Sequence, residues 1–573
     1  MKFRTLLILT LAALAAVLLA ASCSDGGEPA VTDGTETAEV TEPVETVPIR
    51  GKDGGEINDH KLYAWFENGS ALIHRDDFEV GDSGSISVSM AKNEMEGVQL
   101  ILASAVSHEG VRCELGTLSD GAGHTLNGTV NVAYETYIKS AGKSLGMRGY
   151  VPTALLDQDD PYVGGSFDVI AGRSKTLYIR FITELDTAPG EYNGKISVVQ
   201  GGSVLFEGEI SVRVWDIVYD EATRGTHMFG YGFATHLGRI SCPTYNDDTL
   251  PDGAPDMYRL PDLIEKYCDI LVDYRITPYS LPLGSFGLAE EKAAKYLDNP
   301  RVSLTVLWGT QQGDLAEQYK IAEKNNWLHK IAFMEYDEPH DESHMDSILF
   351  QISNYNRYFP TTLHFNAIIC NMVKDGQNII ERLAPYTTLH CVKAQLFSGE
   401  IAESMLKLKE ERGDKIMWYV CGDEPVSMID GLPSIPGTEK RVLFWQQYFF
   451  NLDGFLMWQS CDWENADNIW EENYGEKRIT PIGAGLSPTG NGIFLYWHPD
   501  TKEPVPTLGL EAMRDGIEDY QLIMLADEYL GREEAMKYVE RITTGHSKFT
   551  RDSDFLLQVR DELAAAVEAA AAG

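Results

Sequence analysis

Basic residues are scarce in this chain. Lys and Arg total 47 against 87 Asp and Glu, which gives a formal net charge of -40 at pH 7. A surface of that sign repels nucleic acid and anionic lipid headgroups, so no nucleic-acid partner is expected. Cysteine is sparse too. Of the eight cysteines, Cys113, Cys242, Cys268, Cys370, Cys391, Cys421 and Cys461 lie scattered beyond the first. No close-spaced pair marks a zinc site or a dense disulfide framework, so no metal is expected and these thiols read as small buried apolar groups. No glycine-rich phosphate loop follows any candidate strand, which removes the usual nucleotide reading, and no cofactor is expected.

What is present divides the chain into five parts. Lys2 and Arg4 precede an apolar run, Leu6 to Ala21, that is short for a membrane span and ends in small residues. The segment Leu19-Ala20-Ala21-Ser22-Cys23 resembles a bacterial lipobox. That resemblance implies cleavage before Cys23, acylation of Cys23, and an extracytoplasmic protein anchored to the membrane by lipid. Residues 24–56 lack any apolar period and read as a disordered acidic tether. Residues 57–218 hold short alternating or β-branched runs split by turns such as Ala188-Pro189-Gly190, the pattern of a β-sandwich. Residues 219–530 alternate strands with helical periods, and 531–573 read as a helical tail.

Eight candidate strands lie in that fourth part: 226–231, 276–281, 302–308, 331–338, 362–368, 388–393, 416–421 and 454–458. Eight strand–helix units predict a (β/α)8 TIM barrel, with a doubly wound open sheet as the alternative. Barrel chemistry gathers at the carboxyl ends of strands. The fourth strand ends in Glu335-Tyr336-Asp337-Glu338-Pro339, two adjacent carboxylates stopped by a proline that cannot continue a sheet ladder. Asp337 and Glu338 are the catalytic candidates. The other strand ends add acids among aromatics, the composition of a sugar site, where rings pack on apolar sugar faces and carboxylates bind hydroxyls. Tyr231, Trp308, Tyr336, Lys393, Tyr419, Glu424 and Trp458 are the substrate-binding candidates, and a glycan or glycoconjugate is the expected partner.

A family resemblance sharpens this. Residues Leu508-Gly509-Leu510-Glu511-Ala512-Met513-Arg514-Asp515-Gly516-Ile517-Glu518-Asp519-Tyr520 resemble the closing helix of the family labelled domain of unknown function 4091, common in proteins resembling glycoside hydrolase family 123. Its residues Leu510, Met513, Ile517 and Met524 share one face, which predicts a helix closing the barrel. Ala91 to Leu100 and Pro189 to Gly194 resemble that family's amino-terminal β-sandwich. The resemblance implies an exo-acting β-N-acetylgalactosaminidase with an adjacent Asp-Glu pair. Glu338 would be the general acid/base and Asp337 would hold the substrate's 2-acetamido group. The substrate would then supply its own nucleophile, so no second enzymic carboxylate is needed.

Two alternatives stand beside this reading. One is a retaining glycosidase in which Glu338 pairs with Glu424 as nucleophile, and the other is an inactive surface glycan-binding lipoprotein. Neighbouring residues on a strand point to opposite faces. Asp337 and Glu338 can therefore serve one site only if the strand ends or bulges there.

Overall fold

The computed structural model describes residues 46–139, 146–221, 231–235, 261–278, 281, 290–307, 312–422, 424–425, 427–463, 469–470, 481–482, 485–486 and 489–572. Cys23 lies outside them. Among the described residues no helix is long and apolar enough to cross a membrane.

The amino-terminal β region is built from two sheets that face each other. One runs Gly149–Asp157, Gly128–Ile138, Ser174–Ile182, Met95–Ala103 and Tyr63–Asn68 in hydrogen-bonded order. The other runs Phe167–Val169, His108–Leu115, Gly190–Gln200, Ser203–Val218 and Ser85–Lys92. Alternate residues of both point inward, and Leu100, Leu177, Val111, Ile196 and Val212 meet in one buried core. The tether expected over residues 24–56 is ordered in its last part. Ile49–Gly51 pairs with Glu56–Ile57 and with Glu79–Val80, and Ile49 is buried against Trp65. One inward isoleucine and a ladder on each side suffice to order this stretch.

The carboxyl-terminal α/β region carries eight parallel strands. They are β1 (Tyr231–Thr235), β2 (Ile276–Pro278), β3 (Thr305–Leu307), β4 (Ile331–Asp337), β5 (His364–Ile368), β6 (Leu389–Lys393), β7 (Lys415–Val420) and β8 (Gly454–Met457). The first strand lies later than its sequence pattern predicted. It starts at Tyr231 instead of ending there, and residues 226–230 lie outside the described residues.

The hydrogen-bonded order is β2-β1-β8-β7-β6-β5-β4-β3, a circular order. Among the described residues no ladder joins β2 to β3. That seam is bridged by side chains instead: Ser303 N–H donates to Thr277 Oγ1 at 3.1 Å, and the two hydroxyls lie 3.2 Å apart. Val306, Ala332, Met334, Phe365, Cys391, Met417, Tyr419 and Leu456 fill the inner face.

Four helices matter below: α1 (Glu342–Asn356), α2 (Gly437–Phe449), α3 (Leu508–Leu530) and α4 (Ser553–Ala572). Helix α3 was predicted to have one apolar face. The structure buries it almost all round from Leu508 to Ala526, charged residues included. Gly516 makes this possible, because a Cβ there would lie 3.0 Å from the Arg441 Cα of α2 and 2.5 Å from the Phe444 ring.

The buried charges form one network. Arg514 pairs with Glu511, Asp515 and Glu518 of its own helix. Arg441 of α2 binds Asp519 at 2.9 Å and Glu96 of the β region at 3.0 Å. Arg560 of α4 binds Asp519 at 2.7 Å and also grips Glu94. Arg180 pairs with Glu511, and Arg275 with Glu518 and Glu221. Residues 531–573, read as a tail, thus supply a buried arginine to the centre of the molecule.

Candidate active site

The bulge that would let both carboxylates serve one site is present. Along the β4–β5 ladder Met334 pairs with Phe365, but the next pair is Asp337 with Ala367. Strand β4 thus spends one residue more than β5, which is a β-bulge. Ala332 and Met334 face inward, whereas Phe333 packs outside. Glu335 then pairs with His364 at 2.6 Å, and the Tyr336 ring stacks on His344 of α1 at 4.4 Å. Two consecutive residues are therefore spent away from the inner face, and Asp337 turns in.

The extra residue leaves a backbone N–H outside the ladder, and Asn366 takes it. Tyr336 N–H donates to Asn366 Oδ1 at 2.8 Å, and Asn366 Nδ2 donates to Glu335 at 3.4 Å. Beyond the bulge, Glu338 adopts a left-handed backbone with φ of 48°. A non-glycine residue there costs about 1 kcal/mol or more, and such strain gathers at functional sites.

Asp337 lies close enough to Glu338 to feel its charge. Asp337 opens onto solvent, yet the surrounding wall crowds it. Burial first, and then the Glu338 charge, lifts its carboxyl to about 6. The Cys391 thiol of β6 is pushed up by its own burial and by Asp337. Tyr419, buried on β7, donates its hydroxyl to Glu338 Oε1 at 3.1 Å. Its phenol is pushed well up by burial and by the Glu338 charge.

The other expected site residues divide. Tyr419 joins the pair directly. Tyr336 does not; the bulge commits its ring to His344. Lys393 ends β6 and is buried. Trp458 follows β8, half-buried, and its indole N–H donates to Asn491 at 3.4 Å. Asn491 also donates to the Cys421 carbonyl at 2.9 Å, tying the ends of β7 and β8 together. Glu424 is fully buried, and its carboxylate accepts the N–H groups of Cys421 at 3.1 Å and Gly422 at 2.9 Å. It thereby holds the loop after β7. Trp308 and the Tyr231 side chain lie outside the described residues.

Sequence reasoning missed Asn366, and the signal was a polar residue in the middle of the buried strand His364-Phe365-Asn366-Ala367-Ile368. Asn366→Leu is expected to lower kcat about 10- to 100-fold, as a displacement of about 1 Å at a reacting group does. KM should change little. If Asn366 supported only the fold, the variant would melt earlier yet keep its kcat per folded molecule.

An acid pair thus follows the end of a central parallel strand, in a chain that also carries a two-sheet β region. Residues 287–526 match the family model of the glycoside hydrolase 123 catalytic domain, and the chain is a glycoside hydrolase. The matched span takes in residues 508–520. No match to a curated protein was found. Among solved structures, a family 123 glycoside hydrolase from Clostridium perfringens, described in terms of glycolipid glycan hydrolysis, aligns with a TM-score of 0.57 at 14% identity, covering 89% of this chain and 97% of that one. At that identity the likeness speaks for the fold. A Bacteroides ovatus GH5 xyloglucanase aligns with a TM-score of 0.25 at 8% identity, covering 75% of this chain and 98% of its own. A GH2 β-galacturonidase from Eisenbergiella tayi reaches 0.28 at 10% identity, covering 83% and 77%. These two scores are too low to carry an argument.

Proposed function

We propose that this glycoside hydrolase releases terminal β-linked N-acetylhexosamine, of the N-acetylgalactosamine kind, with retention and by substrate-assisted catalysis. The observation that supports this is the bulge between Met334 and Asp337, which lets two adjacent carboxylates serve one site. In the first step Glu338 gives its proton to the glycosidic oxygen while the acetamido carbonyl oxygen closes on the anomeric carbon. The aglycone leaves as an alcohol and an oxazolinium ion remains. Asp337 accepts the acetamido N–H and offsets the developing positive charge. Water then opens the ring and loses its proton to Glu338.

The pair's ionisation supports a mildly acidic optimum. In the free protein Asp337, lifted to about 6, holds the pair's proton. An acetamido N–H bonds more strongly to the ionised carboxylate, so bound substrate draws Asp337 down and frees the pair's proton for the acid. Above about 6 the free pair loses that proton, and with it the acid. The value of kcat/KM is therefore expected to fall as pH rises through that value.

Glu424, committed to two backbone N–H groups, supports the substrate-assisted route over a two-carboxylate one. The circular strand order supports a closed (β/α)8 barrel. Lipid anchoring at Cys23, with an extracytoplasmic location, completes the proposal and rests on the lipobox-like sequence alone. Cys23→Ser should then release the protein into soluble fractions or block its processing.

The test of the chemistry is a panel of nitrophenyl β-glycosides varied at the 2- and 4-positions, with a thiazoline mimic of the oxazoline. The 2-acetamido sugars should turn over, the 2-hydroxy sugars should be poor, and the thiazoline should inhibit tightly because it resembles the intermediate. Abolition of turnover in Glu424→Gln, with azide rescue and no effect of the thiazoline, would establish Glu424 as the nucleophile instead.

A further inference from the structure

The residues after the acid pair do something that catalysis does not require. Pro339 ends the strand, and His340-Asp341-Glu342-Ser343-His344 turn into α1. One nitrogen or oxygen each of His340, Asp341 and His344 lies within 4.8 Å of the others. We propose that these three side chains form a zinc-class divalent metal site at the rim of the mouth.

The geometry of two ligands is already close to that needed. Asp341 Oδ2 and His344 Nε2 are 3.5 Å apart. Two ligands on one tetrahedral zinc, each bonded at about 2.0–2.1 Å, stand about 3.4 Å apart. The two carboxylate oxygens of Asp341 have separate work. Oδ1 caps α1, accepting the N–H groups of Ser343 at 2.8 Å and His344 at 3.2 Å and the Ser343 hydroxyl at 2.5 Å. Oδ2 faces His344.

His340 is oriented in the manner of a metal ligand. Its Nδ1 lies 3.1 Å from the Glu338 carbonyl oxygen. With Nδ1–H donating to that carbonyl, Nε2 keeps its lone pair for a cation; a backbone carbonyl behind a ligating imidazole is the usual arrangement. The His344 ring is clamped between Tyr336 at 4.4 Å and the His340 ring at 4.3 Å.

Two imidazoles and one carboxylate suit zinc, nickel or copper better than calcium or magnesium, which prefer all-oxygen sets. His340 and Asp341 are exposed, so an ion can enter from solvent. Binding has a cost. His344 Nδ1 accepts the His340 backbone N–H at 3.2 Å, and that contact is lost once Nε2 binds metal and the remaining proton moves to Nδ1. An occupied site would tie His340, and through it the Glu338 carbonyl, to α1.

The experiment is calorimetric titration of the full chain with zinc chloride at pH 7.5, followed by cobalt substitution. One ion per chain should bind, and bound cobalt should give the intense visible absorption of a tetrahedral site. Asp341→Asn keeps the helix cap, since Asn caps as well as Asp, yet should weaken zinc at least tenfold. His344→Ala should abolish both signals. The proposal is overturned by no binding at 100-fold excess zinc, or by binding that both variants leave unchanged. Circular dichroism of each variant confirms that a lost signal comes from a folded chain. The readout is metal binding, so it stands or falls apart from the proposed hydrolysis.

Discussion

Glu338→Gln is expected to slow hydrolysis of an unactivated N-acetylhexosaminide by about 100- to 10,000-fold, the range a general acid contributes. The isosteric amide keeps the Tyr419 hydroxyl contact, now 3.1 Å from Glu338, so the site should stay folded around it. A nitrophenyl glycoside, whose leaving group needs little protonation, should lose far less in its first step. That split is the signature of an acid. Equal losses on both substrates would give Glu338 another role. Asp337→Asn should behave differently. It removes charge stabilisation at the forming oxazolinium, worth about 100- to 1,000-fold, and aryl leaving groups cannot rescue it.

The second large effect is on stability. Arg441 is buried against Glu96, Asp515 and Asp519. Arg441→Met leaves three buried acids without their shared cation, and breaking a buried pair from one side costs about 3–5 kcal/mol. Chemical denaturation should show a loss of that size. A change below about 1 kcal/mol would mean the network is solvated.

The sign of the pH dependence follows from the same group. Burial, with too little arginine charge to offset it, raises Glu94 from 4.5 to about 8. Burial and Glu96 raise Asp515 from 3.8 to about 8. The folded chain holds protons there that the unfolded chain releases, so this stability is present below the unfolded values and is lost as pH rises toward 8. Burial also pushes Glu511 up, but Arg180 and Arg514 outweigh it and hold the carboxyl at about 2. Arg441 and Arg560 likewise hold Asp519 low against its burial. Their contribution is present above the unfolded values and is lost as pH falls through the folded ones. Melting temperature should therefore be highest in mildly acidic solution and decline toward pH 8.5, with a shallower decline in Asp515→Asn. A profile level across that range in both proteins would refute the assignment.

Much of the architecture was legible because strands buried on both faces read as apolar runs. All eight strands overlap their predicted spans, the first at Tyr231 alone, and the acid pair sits at the end of β4 where the apolar run stops. The need for a bulge was also legible, since alternation alone would have parted Asp337 from Glu338. Its mechanism was not, because Asn366 acts through a single backbone N–H on a neighbouring strand. The helix after Leu508 was misread for a plainer reason. Arg514, Asp515, Glu518 and Asp519 look like a solvated face until their partners are known, and those partners outside the helix, Arg275, Arg441 and Arg560, are far apart in the chain. Helical spacing reports which residues share a face; it cannot report what that face meets.

The ionic network makes the catalytic sheet a poor module to excise. Two of its acids are Glu94 and Glu96 and one of its arginines is Arg560, so the charge balance closes only when both ends of the folded chain are present. During synthesis Glu94 emerges early, and Arg560 reaches it only 466 residues later in the chain. Until then Glu94 is spared an unpaired charge only by staying wet or by holding a proton. A carboxyl-terminal truncation that spares every residue near Glu338 should therefore still yield an insoluble product, and an evolving lineage could not readily trade this catalytic half onto a different β partner.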